Sequence, residues 1–130
     1  MVRKLIALLT LCCGFALAEN RVYELRTYTC FSGKLEALKT RFRDHTIEIF
    51  KRHGMESVGY WVPMDERKDT TLVYIISHAS REQADKNWKE FSADPEWKKV
   101  SADSEVNAGG KIVQKVDRQW LEPTDFSKLK

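Results

Sequence analysis

Between residues 22 and 63 the hydrophobic period of the chain changes twice. Val22–Thr29 is rich in β-branched and aromatic side chains, the composition of a strand. Alternation puts Tyr23, Leu25 and Thr27 on one side and Val22, Glu24, Arg26 and Tyr28 on the other. From Leu35 the apolar period lengthens, and Leu38, Phe42, Thr46 and Ile49 recur at helical spacing as one stripe. Ser32 is placed to cap this helix, with Gly33 in its first turn. Gly54 supplies the left-handed residue that ends it. His53 lies near the centre line of the stripe and His45 at its edge, facing the cleft between helix and sheet.

The second half repeats the alternation. Ser57–Pro63 and Thr70–His78 read as an antiparallel hairpin joined by the polar loop Met64–Asp69. Ser80 with Gln83 forms a capping box for a helix over Arg81–Ala93. Asp94-Pro95 caps and starts a short further helix through about Val106, because proline suits the first helical position. Gly109-Gly110 break that helix, and Lys111–Leu121 is a final strand. The order β-α-β-β-α-β defines an α+β, ferredoxin-like fold: a four-stranded antiparallel sheet with helices on one face. Val58, Tyr60, Val62, Val73 and Ile75, set against Leu72, Tyr74 and Ile76, make both faces of the hairpin apolar. A sheet apolar on both sides needs cover on both sides. The helices supply one cover, and a second copy of the chain is expected to supply the other, as a homodimer.

The first residues read as a leader. Arg3 and Lys4 precede the apolar run Leu5–Leu17, and Ala16 and Ala18 give the small-x-small pattern of a cleavage site. A run of about a dozen apolar residues is short of the ~20 that span a bilayer, so the expectation is a signal peptide, residues 1–18, and export to the periplasm or the medium. The domain then covers residues 19–123, with a C-terminal tail at 124–130. Loss of Arg3 and Lys4 takes two charges from the formal +3 and leaves the chain near neutral. Lys39, Arg41 and Arg43 are answered in sequence by Asp44 and Glu48, so no basic stripe for nucleic acid is present. Cys12 and Cys13 leave with the leader, and Cys30, alone, cannot form an internal disulfide.

Candidate chemistry is sparse. His45, Arg26, Tyr28 and Trp61 could together line a cleft that binds a small anionic or aromatic ligand, with His45 as general base. The alternative is structural: His45 bonded to a buried group and Arg26 paired with Glu24 or an acid of a partner subunit. His53 is explained by the helix dipole alone. His78 ends a strand and reads as a surface residue. The histidines lack the spacing of a zinc site. No cofactor signature is evident; a haem stays open, because one axial histidine is enough. Trp88, Trp97 and Trp120 read as core and interface anchors.

The blocks Val22-Tyr23-Glu24-Leu25-Arg26-Thr27-Tyr28, His45-Thr46, Phe50-Lys51-Arg52-His53-Gly54, Gly59-Tyr60-Trp61 and Asp94-Pro95-Glu96-Trp97 resemble the NIPSNAP family of the dimeric α/β-barrel superfamily. The resemblance implies two sheets facing each other across a dimer. It implies little chemistry, since the superfamily includes cofactor-independent monooxygenases, haem-dependent enzymes and small-molecule binders. Three expectations follow: an exported dimer that binds a small organic ligand in its helix–sheet cleft; an oxygenase or haem enzyme; or a dimeric interaction module whose outer Trp88/Trp97 helices dock another protein.

Overall fold

A computed structural model describes residues 20–130. The leader expected over residues 1–18 lies outside the described residues. The elements in order are β1 (Val22–Cys30), α1 (Leu35–Arg41), a π-helical turn (Phe42–Thr46), α2 (Ile47–Arg52), β2 (Glu56–Trp61), β3 (Thr71–His78), α3 (Arg81–Ala93), α4 (Pro95–Asn107) and β4 (Val113–Leu121). All pairings are antiparallel and the strand order is β2-β3-β1-β4. This is the expected ferredoxin-like arrangement. Among the described residues no helix is long and apolar enough to cross a membrane.

β1 pairs along its length with β3, Arg26 opposite Tyr74 and Tyr28 opposite Leu72. Because side chains alternate, Glu24, Arg26 and Tyr28 share one face with Leu72, Tyr74, Ile76 and His78. The helices cover that face. Leu35, Leu38, Phe42, Ile49 and Phe50 from the first helical segment and Phe91 from α3 bury against it. Each such side chain contributes about 1.5–3 kcal/mol by leaving water. Aromatic rings dominate the layer: Tyr28 and Phe42 each lie 5.2 Å from Tyr74, and Phe50 lies 5.5 Å from Trp88. These edge and tilted contacts suit ring quadrupoles. Cys30 is buried and free.

Three local readings change. Ser32 does not cap α1: Gly33 turns the chain at φ +76°, and Lys34 takes the N-cap position without a side-chain bond. The helix expected to run unbroken to Gly54 contains the π turn. Thr46 keeps the buried place the stripe gave it, Arg41 is buried at the end of α1, and the π turn leaves Arg43, Asp44 and His45 exposed. The Thr46 hydroxyl donates to the Arg41 carbonyl at 3.2 Å across that turn. Third, a bulge between Ser57 and Gly59 shifts the β2 register. Tyr60, expected beside Val58 and Val62, therefore faces the helices, stacked 5.4 Å from Tyr74, with its hydroxyl 2.7 Å from Ser57 Oγ.

The N-caps of the second half match expectation, although the Gln83 side chain turns to Asn87 and leaves the capping box half-formed. Ser80 Oγ accepts from the Gln83 amide at 3.0 Å, and Asp94 Oδ1 accepts from Glu96 and Trp97 at 2.8 and 3.4 Å. On the face away from the helices stand Leu25, Thr27, Val73 and Ile75, only partly buried, with Trp61 50% exposed. The segment after β4 leans on one corner of this face, where the Tyr23 hydroxyl donates to the Lys130 carbonyl at 3.3 Å.

Candidate functional site

The inner sheet face carries a buried polar cluster centred on Glu24. Both Glu24 and His78 are fully buried. Glu24 Oε2 accepts from His78 Nε2 at 2.9 Å and from Trp88 Nε1 at 2.8 Å, and Oε1 accepts from Arg26 Nη1 at 2.8 Å. The Asn87 amide lies 3.2 Å from His78 Nδ1. The Arg26 guanidinium also sits 4.2 Å over the Trp88 ring. Burial pushes the Glu24 carboxyl up, but the bonds from His78, Trp88 and Arg26 and the Arg26 charge outweigh it and hold it below the usual value. Burial likewise opposes the Arg26 charge, while Tyr28, Tyr74 and Glu24 raise its pKa overall. His78 is thus a core residue, correcting its reading as a surface one. The strand end that suggested exposure is roofed by Trp88 and Asn87 from α3.

None of these cluster residues lines the cavities described next. Next to it, between sheet and helices, lies a cavity of about 170 Å³ lined by Tyr28, Val113 and Val116 from the sheet, Arg41, Phe42, Thr46 and Phe50 from the first helical segment, and Phe91 and Trp97. Outside it, between the first helical segment and α4, runs a groove of about 520 Å³ that His45 lines with Asp44, Lys99 and Asp103. Trp61 borders a third depression, about 390 Å³, at the β2 edge. Its ring lies over Gly59, where a Cβ would stand 2.6 Å from the indole.

The four residues expected to share a cleft are therefore dispersed. Tyr28 lines the inner cavity. Arg26 adjoins it and is paired with Glu24. His45 is exposed in the outer groove and does not face the helix–sheet cleft, because the π turn swings it outward. Trp61 is on the opposite, open side of the sheet. His53 ends α2, with Nε2 2.6 Å from Asp94 Oδ2, and Arg52 reaches the same oxygen at 2.7 Å. That carboxylate is held well below its usual value by Arg52 and then His53. Among the described residues no cluster of three or more His, Cys, Asp or Glu is arranged to hold a metal ion.

Sequence reasoning passed over Arg41. It is 6% exposed, and among the described residues its only side-chain hydrogen bond is from Nη1 to Ser104 Oγ at 3.2 Å. Neither Asp44 nor Glu48, which answer it in sequence, pairs with it: none of the ion pairs among the described residues includes Arg41. The one signal was its position, one residue before Phe42 on the apolar stripe.

A four-stranded antiparallel sheet with helices on one face, a cavity between the two layers and an open apolar back defines a protein of the dimeric α/β-barrel fold. The chain belongs to the NIPSNAP family, whose model matches residues 23–128. A NIPSNAP family protein of unknown function from Agrobacterium tumefaciens is 25% identical, over 85% of this chain and 95% of that one, with a TM-score of 0.71. An uncharacterised NIPSNAP-like domain protein from Burkholderia xenovorans is 17% identical, over 83% and 89%, with a TM-score of 0.70. SnoaB, a cofactor-independent oxygenase from Streptomyces nogalater, is 14% identical over 85% and 99%, with a TM-score of 0.54, and shares the fold. Among curated proteins none matches the chain.

Proposed function

We propose that this NIPSNAP protein is an exported homodimer that binds a small organic ligand in its helix–sheet cavity. The observation that carries the reading is the cavity itself: a largely aromatic chamber with one buried cation, Arg41, in its wall. Apolar walls with a few placed polar groups are the usual make-up of a ligand site. The dimer is supported by the open sheet face, where Leu25, Val73 and Ile75 stay partly exposed in the single chain. Export rests on the leader read from residues 1–18.

A second reading, a cofactor-independent oxygenase, is favoured by the fold shared with SnoaB. The cavity does not suit a haem: no histidine lines it, and about 170 Å³ takes one ring and not a porphyrin. The interaction-module reading loses support because Trp88 and Trp97 pack inward, on Phe50 at 5.5 Å and on Phe91 at 4.6 Å.

Native mass spectrometry of protein purified from the exported fraction tests the proposal, with an absorption spectrum of the same sample. The expected result is a dimer of the chain beginning at Glu19 that retains added small-molecule mass. An empty dimer would remove the ligand and return weight to an interaction role. A monomer would remove the barrel.

A further inference from the structure

We propose that the ligand of this cavity is a small aromatic carboxylate and that Arg41 holds its charge. The inference rests on reading the cavity as a ligand site and goes on to name the ligand class.

Arg41 is a buried cation that makes no ion pair among the described residues; Glu105 acts on it only from beyond salt-bridge distance. Its Nη1 donates to a neutral hydroxyl, and its Nε is buried without any partner. Arg26, in the same layer, also has a buried unbonded Nε, but its charge is paired with Glu24 at 2.8 Å, which Arg41's is not. An arginine taken out of water without a carboxylate is costly, and a ligand anion would offset that cost. Burial lowers the Arg41 pKa; Tyr28 and Glu105 pull it the other way, and an arginine remains cationic throughout. Trp97 lies under the guanidinium at 5.3 Å, which fixes the fork at one wall of the chamber.

The rest of the chamber fits a ring. Tyr28, Phe42, Phe50, Phe91 and Trp97 present aromatic surface. A dry apolar cavity of about 150 Å³ holds benzene, so about 170 Å³ has room for a single ring with a carboxylate. Arg41 is the one residue that lines both this chamber and the outer groove. A carboxylate there would meet the planar fork while its ring stayed among the aromatics. Arg41 closes α1 immediately before the π turn, on the buried side of the helix with Leu35 and Leu38, one α-helical step of three from the latter.

Calorimetric titration of the purified protein with benzoate and with benzamide, one ring with and without the charge, tests the assignment. Benzoate is expected to bind about tenfold or more tighter than benzamide. Arg41→Gln is expected to remove that preference while benzamide affinity changes little. Equal binding of the two probes to the unmodified protein would overturn the carboxylate assignment and leave the cavity standing as a ligand site. No binding of either would overturn both. Should Arg41→Gln fail to fold, Ser104→Ala removes the bond that positions the guanidinium and keeps the arginine itself. Ser104 Oγ also donates to the Ser101 carbonyl at 2.8 Å, a local bond that would not tell the two probes apart. The variant is expected to weaken benzoate several-fold and spare benzamide, and unchanged benzoate affinity would overturn the role of Arg41.

Discussion

Glu24 lies fully buried with donors from three side chains on its carboxylate, so its protonation is coupled to folding. Its pKa is lowered in the fold from an ordinary 4.5. A lowered carboxylate contributes stability that is present above the unfolded value and is lost as pH falls through the folded one. Urea unfolding at a series of pH values should therefore show stability declining below about pH 4.5. Glu24→Gln should flatten that decline and cost about 3 kcal/mol at neutral pH, because Arg26 is left buried without its counter-charge. An unchanged acid profile in the variant would show that Glu24 is not the linked group. His45 gives the opposite expectation. It is exposed and makes no side-chain hydrogen bond among the described residues, so His45→Ala should change the unfolding free energy by no more than ~0.5 kcal/mol. A larger loss would reveal a structural contact. The sequence placed Glu24, Arg26 and Tyr28 on one strand face correctly. It could not pair Glu24 with His78, 54 residues away, because strand periodicity does not say which neighbour lies across the ladder.

At the scale of elements, the junction between α2 and α4 rests on Asp94. Its Oδ1 caps α4 and its Oδ2 takes Arg52 and His53 from the end of α2. Asp94→Ala is expected to lower stability by about 1 kcal/mol from the lost cap alone, and Asp94→Asn, which keeps a capping oxygen, by less. Chemical denaturation of both variants measures the difference, and equal losses would place the effect in the charge and not in the cap. Asp94-Pro95 and Ser80 with Gln83 were legible because capping is local, a matter of side chains reaching amides two or three residues on. The π turn and the β2 bulge were not legible. Leu38, Phe42, Thr46 and Ile49 fit an unbroken helix equally well in sequence, and Val58, Tyr60 and Val62 fit an unbroken strand. One extra residue in each case is absorbed where the packing of neighbours makes it cheapest.

For the whole molecule, the open sheet face is the feature that a single chain leaves incomplete. Leu25, Val73 and Ile75 stand partly covered there beside the exposed Trp61. Val73→Asp places a charge at the centre of that face and is expected to convert the proposed dimer to a monomer with its circular dichroism retained. Sedimentation equilibrium would read the change, and a dimer that survives the substitution would put the interface elsewhere. Filling the chamber is a second test at this scale. Thr46→Phe should abolish benzamide binding, and unaltered binding would move the ligand to the outer groove.

The sequence by itself determined the order of elements, which residues share a face along β1 and β3, and the caps of α3 and α4. These follow from period, composition and contacts a few residues long. It also carried the family, through blocks spread along the chain. Only the tertiary structure decided that His78 and Glu24 meet, that His45 and Trp61 stand outside the cavity and that Arg41 stands in its wall. Each of these depends on a residue inserted in a helix or strand, or on which distant element roofs a given position. A one-residue shift rotates a side chain from one face to the other while leaving the apolar pattern of the sequence almost unchanged.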